Sequence, residues 1–498
     1  MNERNSFFQS VCRLAIPVAL QSMLQSSFSV VDQIMIGQLG SVNVAGVGLA
    51  GKFAGIYSVL VTAFGAAAGI MISQYLGQKN KPEVKRSFYL NLMFALYFAG
   101  TFTFGSLLLP KQIMGLYTTD VQTVEAAADY LLILSGTFLP MAGATMLATL
   151  FRCVERASYP LYASICAALI NTLLNYILIF GRLGLTPLGA EGAAIATVIS
   201  QCVNFLLMLF MYSVQRKDLP LAGNSQILKI SFNWKQYGAI LLPMLVCELF
   251  WSLGENVYVA VYGHLGTDAC AAMTLTNPVQ GLMIGALCGL SQAAVVLVGK
   301  FLGENQPEQA YLASKKLMLY GFAGAAVLSV VIVLTSGLYV SIYQVEPEVK
   351  QITRQILLAF ALVAPFKIQN MIMGGGVLRS GGKTKYVMYI DLIGTWIFGV
   401  PLSLLSAFVW NLSIPLVYFI LSLEECVRFG ITLRIFKSRK WMNTLDSSKH
   451  STLPDAGPSA LKKACVTGEP EGYTARCIHE NSIPEENIGK LLLNDKEK

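Results

Sequence analysis

Met35-Ile36-Gly37-Gln38-Leu39-Gly40 is matched in this chain by Val261-Tyr262-Gly263-His264-Leu265-Gly266, and the two stretches are 226 residues apart. The same separation relates Pro17 to Pro243 and Gly77 to Gly303. A spacing that is held over some 60 residues, from Pro17 to Gly77, indicates two fused copies of one unit. Internal repeats in membrane bundles are typical of transporters, in which the substrate site lies between the repeats.

The composition is that of a membrane protein. Of the 498 residues, 54% are hydrophobic and only 13% are charged, whereas a soluble protein carries about 25% charged residues. The first apolar segment, residues 14–36, is too long for the core of a signal peptide and lacks a small-residue cleavage site at its end. We therefore expect it to be retained as the first transmembrane span.

Cysteine and histidine usage argues against a metal centre, a cofactor or an enzyme. None of the ten cysteines forms a C-x-x-C pair, and His264 is the only one of three histidines in the apolar region. An intramembrane enzyme would need paired acids, a nucleophile beside a base, or a histidine cluster, and the sequence shows no such pattern. We expect neither a metal site nor a cofactor.

Runs of about 20 apolar residues predict twelve transmembrane helices. The predicted fold is an all-α membrane protein with two six-helix lobes, residues 1–220 and 221–442, followed by a polar, disordered cytoplasmic tail at 443–498. The twelve predicted spans are 14–36, 44–72, 88–110, 130–151, 160–181, 190–214, 237–262, 268–299, 314–340, 354–378, 386–409 and 412–435.

Basic residues collect in alternate loops, which gives the orientation. Clusters such as Lys79–Arg86 and Arg379–Lys385 lie on one side of the predicted membrane, and the opposite loops are richer in acids. The positive-inside rule then places both termini in the cytoplasm of a multi-pass protein of the cell membrane. The net charge of +8 is explained by this topology, so nucleic acid is not an expected partner. We expect a monomer in the lipid bilayer.

An even number of spans in each copy orients both lobes the same way in the membrane. The lobes are then related by an axis along the membrane normal, with a cleft between them.

Polar residues inside predicted spans are the candidate site residues, because an ionisable group in hydrocarbon is unfavourable unless it has a function or a partner. Asp32 interrupts the first span; Asn171 and Asn175, four residues apart, share a face of the fifth, and Thr197 lies in the sixth. Their oxygens could ligate Na⁺, or Asp32 could carry H⁺. The alternatives are an interfacial structural carboxylate and ordinary interhelical hydrogen bonds.

The second half has diverged at these positions. The residue that corresponds to Asp32 is Tyr258, while Glu248 and Glu255, seven residues apart on one helix face, correspond to Ser22 and Ser29. Together with Asp391 in the eleventh span, these residues are candidates for a substrate or ion site in the second lobe.

Five further charged positions have alternative interpretations. Glu424 and Glu425 with Arg428 are interpreted as a structural ion-pair cluster near the cytoplasmic end of the last span. Lys52 and Lys367 could extend to an interface or, for Lys367, pair with an acid across the cleft.

Several segments resemble the multidrug and toxic compound extrusion (MATE) family. They are Pro17 with the stretch Val31–Gly37, Arg152–Pro160, Asn171–Gly181, Gly189–Thr197 and the loop Leu378–Lys385, and the likeness covers about residues 8–440. The resemblance implies two six-helix lobes and an antiporter that exports cationic, amphipathic drugs in exchange for inward Na⁺ or H⁺. It assigns ion coupling to Asp32, Asn171 and Thr197, with Asn175 standing where many members have a second acid.

Two other functions compete with efflux. A lipid-linked oligosaccharide flippase of related architecture would need a strongly basic cleft, to which only Lys52 and Lys367 would contribute. A non-transporting membrane receptor is the second alternative.

Overall fold

The computed structural model describes residues 3–182, 184, 186–216, 219–221, 234–343 and 345–445. Within them the chain is helical and contains no strand. The α-helices are α1 Glu3–Ile36, α2 Ser41–Gly77, α3 Lys81–Leu108, α4 Pro110–Gly115, α5 Val121–Leu134, α6 Phe138–Cys153, α7 Ser158–Phe180, α8 Gly189–Val214, α9 Trp234–His264, α10 Thr267–Gly303, α11 Pro307–Ser341, α12 Pro347–Ile372, α13 Thr384–Leu392, α14 Val400–Leu404, α15 Ile414–Ser422 and α16 Glu424–Lys437.

Eleven described helical segments are long and apolar enough to cross a membrane. The twelfth predicted span is present as α15 and α16, which Leu423 separates. The predicted all-α fold is therefore confirmed, and the fourth span is built from α5 and α6 joined by a 3₁₀ turn at Ser135–Thr137. The link between the lobes at 222–233 and the tail from 446 lie outside the described residues, so the domain limits stay a prediction.

The repeated glycines occupy the turns between the first two helices of each lobe. Gly40 has φ +86° and Gly266 has φ +117°, backbone conformations in which a side chain is strained. Each glycine directly precedes the second helix of its lobe, α2 or α10. The repeat thus marks the same tight turn in both copies.

Three π-helical segments distinguish the second lobe among the described residues. They are Met373–Leu378, Ile393–Gly399 and Leu405–Val409. Such segments inside helices are often found at functional sites, because the extra residue per turn redirects side chains. Here the first of them leads directly into Arg379.

Helices α2 and α10 meet at their C-terminal ends, which we name the basic end because the Lys- and Arg-rich loops lie there. A methyl group added at Gly77 would overlap the backbone oxygen of Lys300, and one at Gly303 would overlap that of Gln74. The second pair of repeated glycines therefore permits backbone-to-backbone contact between the lobes.

A segment after α16 fastens the lobes together at the basic end. We name this segment, Trp441–Leu445, the strap; Trp441 is fully buried in it. Leu445 N donates to Gln74 Oε1 at 2.7 Å, and Gln78 Nε2 donates to the Leu445 oxygen at 2.8 Å. Gln74 Nε2 also donates to the backbone oxygens of Ser380 at 2.6 Å and Asn443 at 3.1 Å.

An ion pair also joins the two lobes at the basic end. Lys300, near the end of α10, contacts Glu155, which follows α6 in the first lobe. The first residues of the predicted tail, Asn443–Leu445, thus belong to a packed contact between the lobes, while residues 446–498 lie outside the described part.

Candidate functional site

Asp32, Asn171 and Asn175 form one cluster between α1 and α7. Asn175 Nδ2 donates to Asp32 Oδ1 at 2.7 Å, and the Asn175 nitrogen also lies 3.2 Å from Asn171 Oδ1. Asn175 is 1% exposed and Asn171 8% exposed. The four-residue spacing places both amides on the α7 face that meets α1. The structure therefore brings together three of the four predicted first-lobe residues.

Both amides can donate to the carboxylate. With its nitrogen towards Asp32, Asn171 donates to Oδ1 at 3.0 Å and to Oδ2 at 3.2 Å, and this orientation satisfies both side chains. Asn175 Oδ1 is buried and has no hydrogen-bond partner among the described residues. The Asp32 carboxylate and this unpartnered amide oxygen are acceptors that a proton or a cation could satisfy.

Thr197 is not joined to this cluster by a hydrogen bond. Its hydroxyl donates to the Ala193 oxygen one turn earlier in α8, at 2.9 Å. Ser200 is the α8 residue that reaches the cluster, with its hydroxyl 3.4 Å from Asn171 Nδ2. Sequence reasoning missed Ser200, although it follows Thr197 by three residues on the same helix face.

Two of the second-lobe candidates are ion-paired. Glu248 Oε1 lies 3.1 Å from Arg379, with both side chains 16% exposed. Asp391 accepts a hydrogen bond from the Cys247 thiol at 2.7 Å and lies 3.7 Å from Arg428. These carboxylates are compensated by arginine, so they are poorly placed to bind a further cation.

The other two candidates line a second-lobe cavity of about 230 Å³. Glu255 and Tyr258 enter it from α9, and the Tyr258 hydroxyl donates to Glu424 Oε2 at 2.8 Å. Glu425 and Lys367, whose charged atoms are 3.6 Å apart, also line it. Glu425 is thus neutralised by Lys367, and Glu255 is the lining carboxylate without an ion-pair partner among the described residues, so it could receive a positively charged group.

The ion pair predicted between Glu424 and Arg428 is present at 3.6 Å. Its position differs from the prediction, because Glu424 begins α16 in the interior of the last span, where it is 7% exposed and borders the cavity. Lys367 pairs within its own lobe, and not across the cleft. Lys52 donates to Asn256 Oδ1 at 3.4 Å. Of the two lysines on which the flippase alternative depended, Lys367 is neutralised by Glu425, whereas Lys52 is exposed and makes no ion pair with a described residue.

Two duplicated lobes of membrane-crossing helices, with a carboxylate and two amides clustered inside one lobe, define a polytopic membrane protein of the transporter class. A family model described as MatE matches residues 17–177 and again residues 243–405. The two matches start at Pro17 and Pro243, which the repeat had already paired. The chain belongs to the MatE family, as the sequence motifs had indicated. This is a transporter family, so the chain is a membrane transporter.

Relatives and solved structures agree with this assignment. The chain is 21% identical over 442 residues to "Probable multidrug resistance protein NorM" of Thermotoga maritima, covering 87% of this chain and 93% of that protein. It is 22% identical over 438 residues to "Uncharacterized transporter YisQ" of Bacillus subtilis, covering 87% and 95%. A MATE crystal structure in complex with MaL6 superposes with a TM-score of 0.80 at 18% identity, covering 86% and 95%. A mutant of the Vibrio cholerae MATE transporter VcmN also gives 0.80, at 19% identity, covering 88% and 99%.

Proposed function

We propose that this transporter is an antiporter that exports cationic or amphipathic organic compounds in exchange for inward Na⁺ or H⁺. The observation that carries the proposal is the cluster of Asp32 with Asn171 and Asn175. An ionisable group in a membrane helix is unfavourable in hydrocarbon, so its presence beside an unpartnered amide oxygen marks an ion pathway.

The chemistry of the cluster supports a cation as its ligand. A carboxylate and amide oxygens are hard donors, which Na⁺ prefers, and the same carboxylate can take a proton instead. The unpartnered Asn175 Oδ1 gives a further acceptor for either ion.

Closure of the basic end supports alternating access. The strap, the Glu155–Lys300 pair and the Gly77–Gly303 contact join the lobes on one side of the molecule. Substrate binding and ion binding weaken one another when each ligand binds better to a different arrangement of the lobes. Opening the basic end would require all three contacts to separate.

The charge distribution supports the direction of transport. The loops at the basic end carry most of the lysine and arginine, and by the positive-inside rule we infer that this end faces the cytoplasm of a cell-membrane protein. Substrate would then enter from the cytoplasm when the basic end is open. It would leave on the opposite side in the arrangement described above.

Two observations support the substrate class. Curated relatives carry the name multidrug resistance protein, and Glu255, a carboxylate without an ion-pair partner among the described residues, lines the second-lobe cavity. Apolar walls with a few charged groups are the usual lining of sites for drug-sized molecules.

Dye efflux from proteoliposomes tests the proposal. We expect ethidium transport to follow one of two separately imposed gradients, Na⁺ or pH, and Asp32→Asn to reduce it to the level of protein-free liposomes. The reason is that the neutral amide keeps a hydrogen bond to Asn175 but cannot hold a cation or exchange a proton.

Asp268→Asn is the matched control, because it neutralises an exposed aspartate at the start of α10. It should transport as the unaltered protein does. Gradient-driven efflux at full rate by a correctly inserted Asp32→Asn protein would reject the coupling role of Asp32.

A further inference from the structure

A charged cavity of about 560 Å³ lies between the lobes. Residues of α1, α2, α6 and α8 line it from the first lobe, and residues of α10 with Gly375 and Arg379 line it from the second. Its only charged lining residues are Arg152 and Arg379. No aspartate or glutamate borders it among the described residues, in contrast to the smaller cavity within the second lobe.

The two arginines are in different electrostatic situations. Arg379 is paired with Glu248 at 3.1 Å. Arg152, one residue before the end of α6, makes no ion pair with any described residue, and its buried Nε has no hydrogen-bond partner there. A buried polar nitrogen without a partner is unfavourable. The Arg152 side chain as a whole is partly exposed and lines the cavity, so its guanidinium group can receive an anion there.

The internal repeat explains how this difference arose. Phe151-Arg152-Cys153 corresponds to Leu378-Arg379-Ser380, with one residue added to the usual offset of 226. Glu248, the partner of Arg379, corresponds to Ser22 at that offset. Ser22 lines the same cavity as Arg152. Both lobes therefore have the arginine, and the second lobe alone has the carboxylate at the position that neutralises it.

We propose that the cavity between the lobes binds an amphipathic organic compound through an anionic group, a carboxylate, sulfonate or phosphate, held by Arg152. The planar guanidinium fork matches such oxygens with two parallel hydrogen bonds. Amide side chains on the same wall, Gln21, Gln25 and Gln201, supply further polar contacts. The volume is within the range of drug-sized sites, about 300–1,000 Å³.

This inference rests on the proposed export function and specifies the charge of its substrate. Among amphipathic compounds, those with an acidic group, including zwitterions, bind better than purely cationic ones. The cationic part of a zwitterion has a separate candidate site in the acidic second-lobe cavity.

Rhodamine B and its ethyl ester test the proposal, because they differ only in whether the carboxylate is free or esterified. Binding to purified protein is measured by fluorescence anisotropy without any ion gradient, and efflux from proteoliposomes is measured in parallel. We expect the free acid to bind at least roughly tenfold more tightly than the ester, as a charged hydrogen bond allows. Arg152→Gln should remove this preference and leave ester binding unchanged.

Two variants keep the test informative if Arg152→Gln does not fold. Ser22→Glu rebuilds in the first lobe the pair seen between Glu248 and Arg379, so it should abolish the preference for the free acid in a folded protein. Arg354→Gln is the control, because it removes an exposed arginine of α12. It should retain the preference.

The outcomes separate this inference from the proposed function. Equal binding of acid and ester, unaffected by Arg152→Gln or Ser22→Glu, overturns the anion site even if both dyes are exported. A preference for the acid that the variants abolish, without efflux under either gradient, supports the anion site and rejects the antiporter. If inorganic phosphate displaces rhodamine B, and the ester binds as tightly as the free acid, the site is one for a small inorganic ion. That result would overturn the proposal of an organic substrate.

Discussion

At the residue scale, charged side chains inside the membrane helices are stabilised by partners from distant parts of the chain. Glu248 with Arg379 is such a pair, with both side chains 16% exposed. Each partner makes the burial of the other tolerable, since either alone would be an uncompensated charge in a medium of low dielectric constant. Arg152 lacks this compensation, and Asp32 is supported by amides only.

Glu248→Gln tests this pairing through stability. We expect the unfolding free energy to fall by about 3 kcal/mol, because the substitution leaves Arg379 buried without its counter-charge. The measurement is thermal unfolding of the purified protein in detergent. Glu308→Gln is the matched control: its pair with Arg439 is exposed, with the Glu308 side chain 69% accessible. That change should cost under about 1 kcal/mol.

The double variant Glu248→Gln with Arg379→Met provides a second check. Removing both charges should recover most of the loss, because no lone charge remains. A double variant less stable than Glu248→Gln alone would mean that Arg379 has a stabilising role apart from this pair.

At the element scale, the two central helices depend on glycine where they meet. The positions Gly77 and Gly303 could be paired from the sequence because they share the repeat offset. Their role in a contact between α2 and α10 could not be read from it, since a glycine in a membrane helix can equally face lipid. The structure shows that the backbone of each helix occupies the space that a side chain on the other would need.

Gly303→Ala is expected to destabilise the closed basic end by about 1–3 kcal/mol, the usual cost of forcing extra atoms into packed space. Thermal unfolding in detergent measures the change. Gly337→Ala, in α11, is the control, because an added methyl group there meets no atom within 4 Å. A Gly303→Ala protein as stable as this control would show that the helices can separate at no cost.

At the scale of the whole molecule, the strap joins the two lobes through Gln74. This one side chain makes three hydrogen bonds, to Ser380, Asn443 and Leu445, at 2.6, 3.1 and 2.7 Å. Each contributes about 1 kcal/mol to the closed arrangement. The strap therefore biases the equilibrium between the lobe arrangements that antiport requires.

Gln74→Leu should shift this equilibrium towards an open basic end. Spin labels at Lys79 and Lys383, on the loops after α2 and before α13, would report a larger population of long distances between the lobes. Gln122→Leu, an exposed position in the first turn of α5, is the control. An unchanged distance distribution in Gln74→Leu would show that the strap does not contribute to closure.

Local pattern explains why so much of the fold could be predicted. The apolar runs, the repeat and the alternation of basic loops are properties of neighbouring residues, and they led to the twelve-span reading and to the paired turns at Gly40 and Gly266. The grouping of Asn171 and Asn175 as candidates with Asp32 could also be predicted from the sequence, because a four-residue spacing defines a helix face. Thr197 was misplaced relative to it, since the choice between Thr197 and Ser200 depends on the rotation of α8.

The sequence by itself determined the duplicated membrane architecture, because hydropathy and helix length act locally along the chain. Only the tertiary structure decided which buried charges are neutralised. Glu248 pairs with Arg379, which is 131 residues away along the chain, and Tyr258 donates a hydrogen bond to Glu424, which is 166 residues away. No periodicity encodes such contacts, which arise when helices pack. The same packing leaves Arg152 without an acid in the cavity between the lobes.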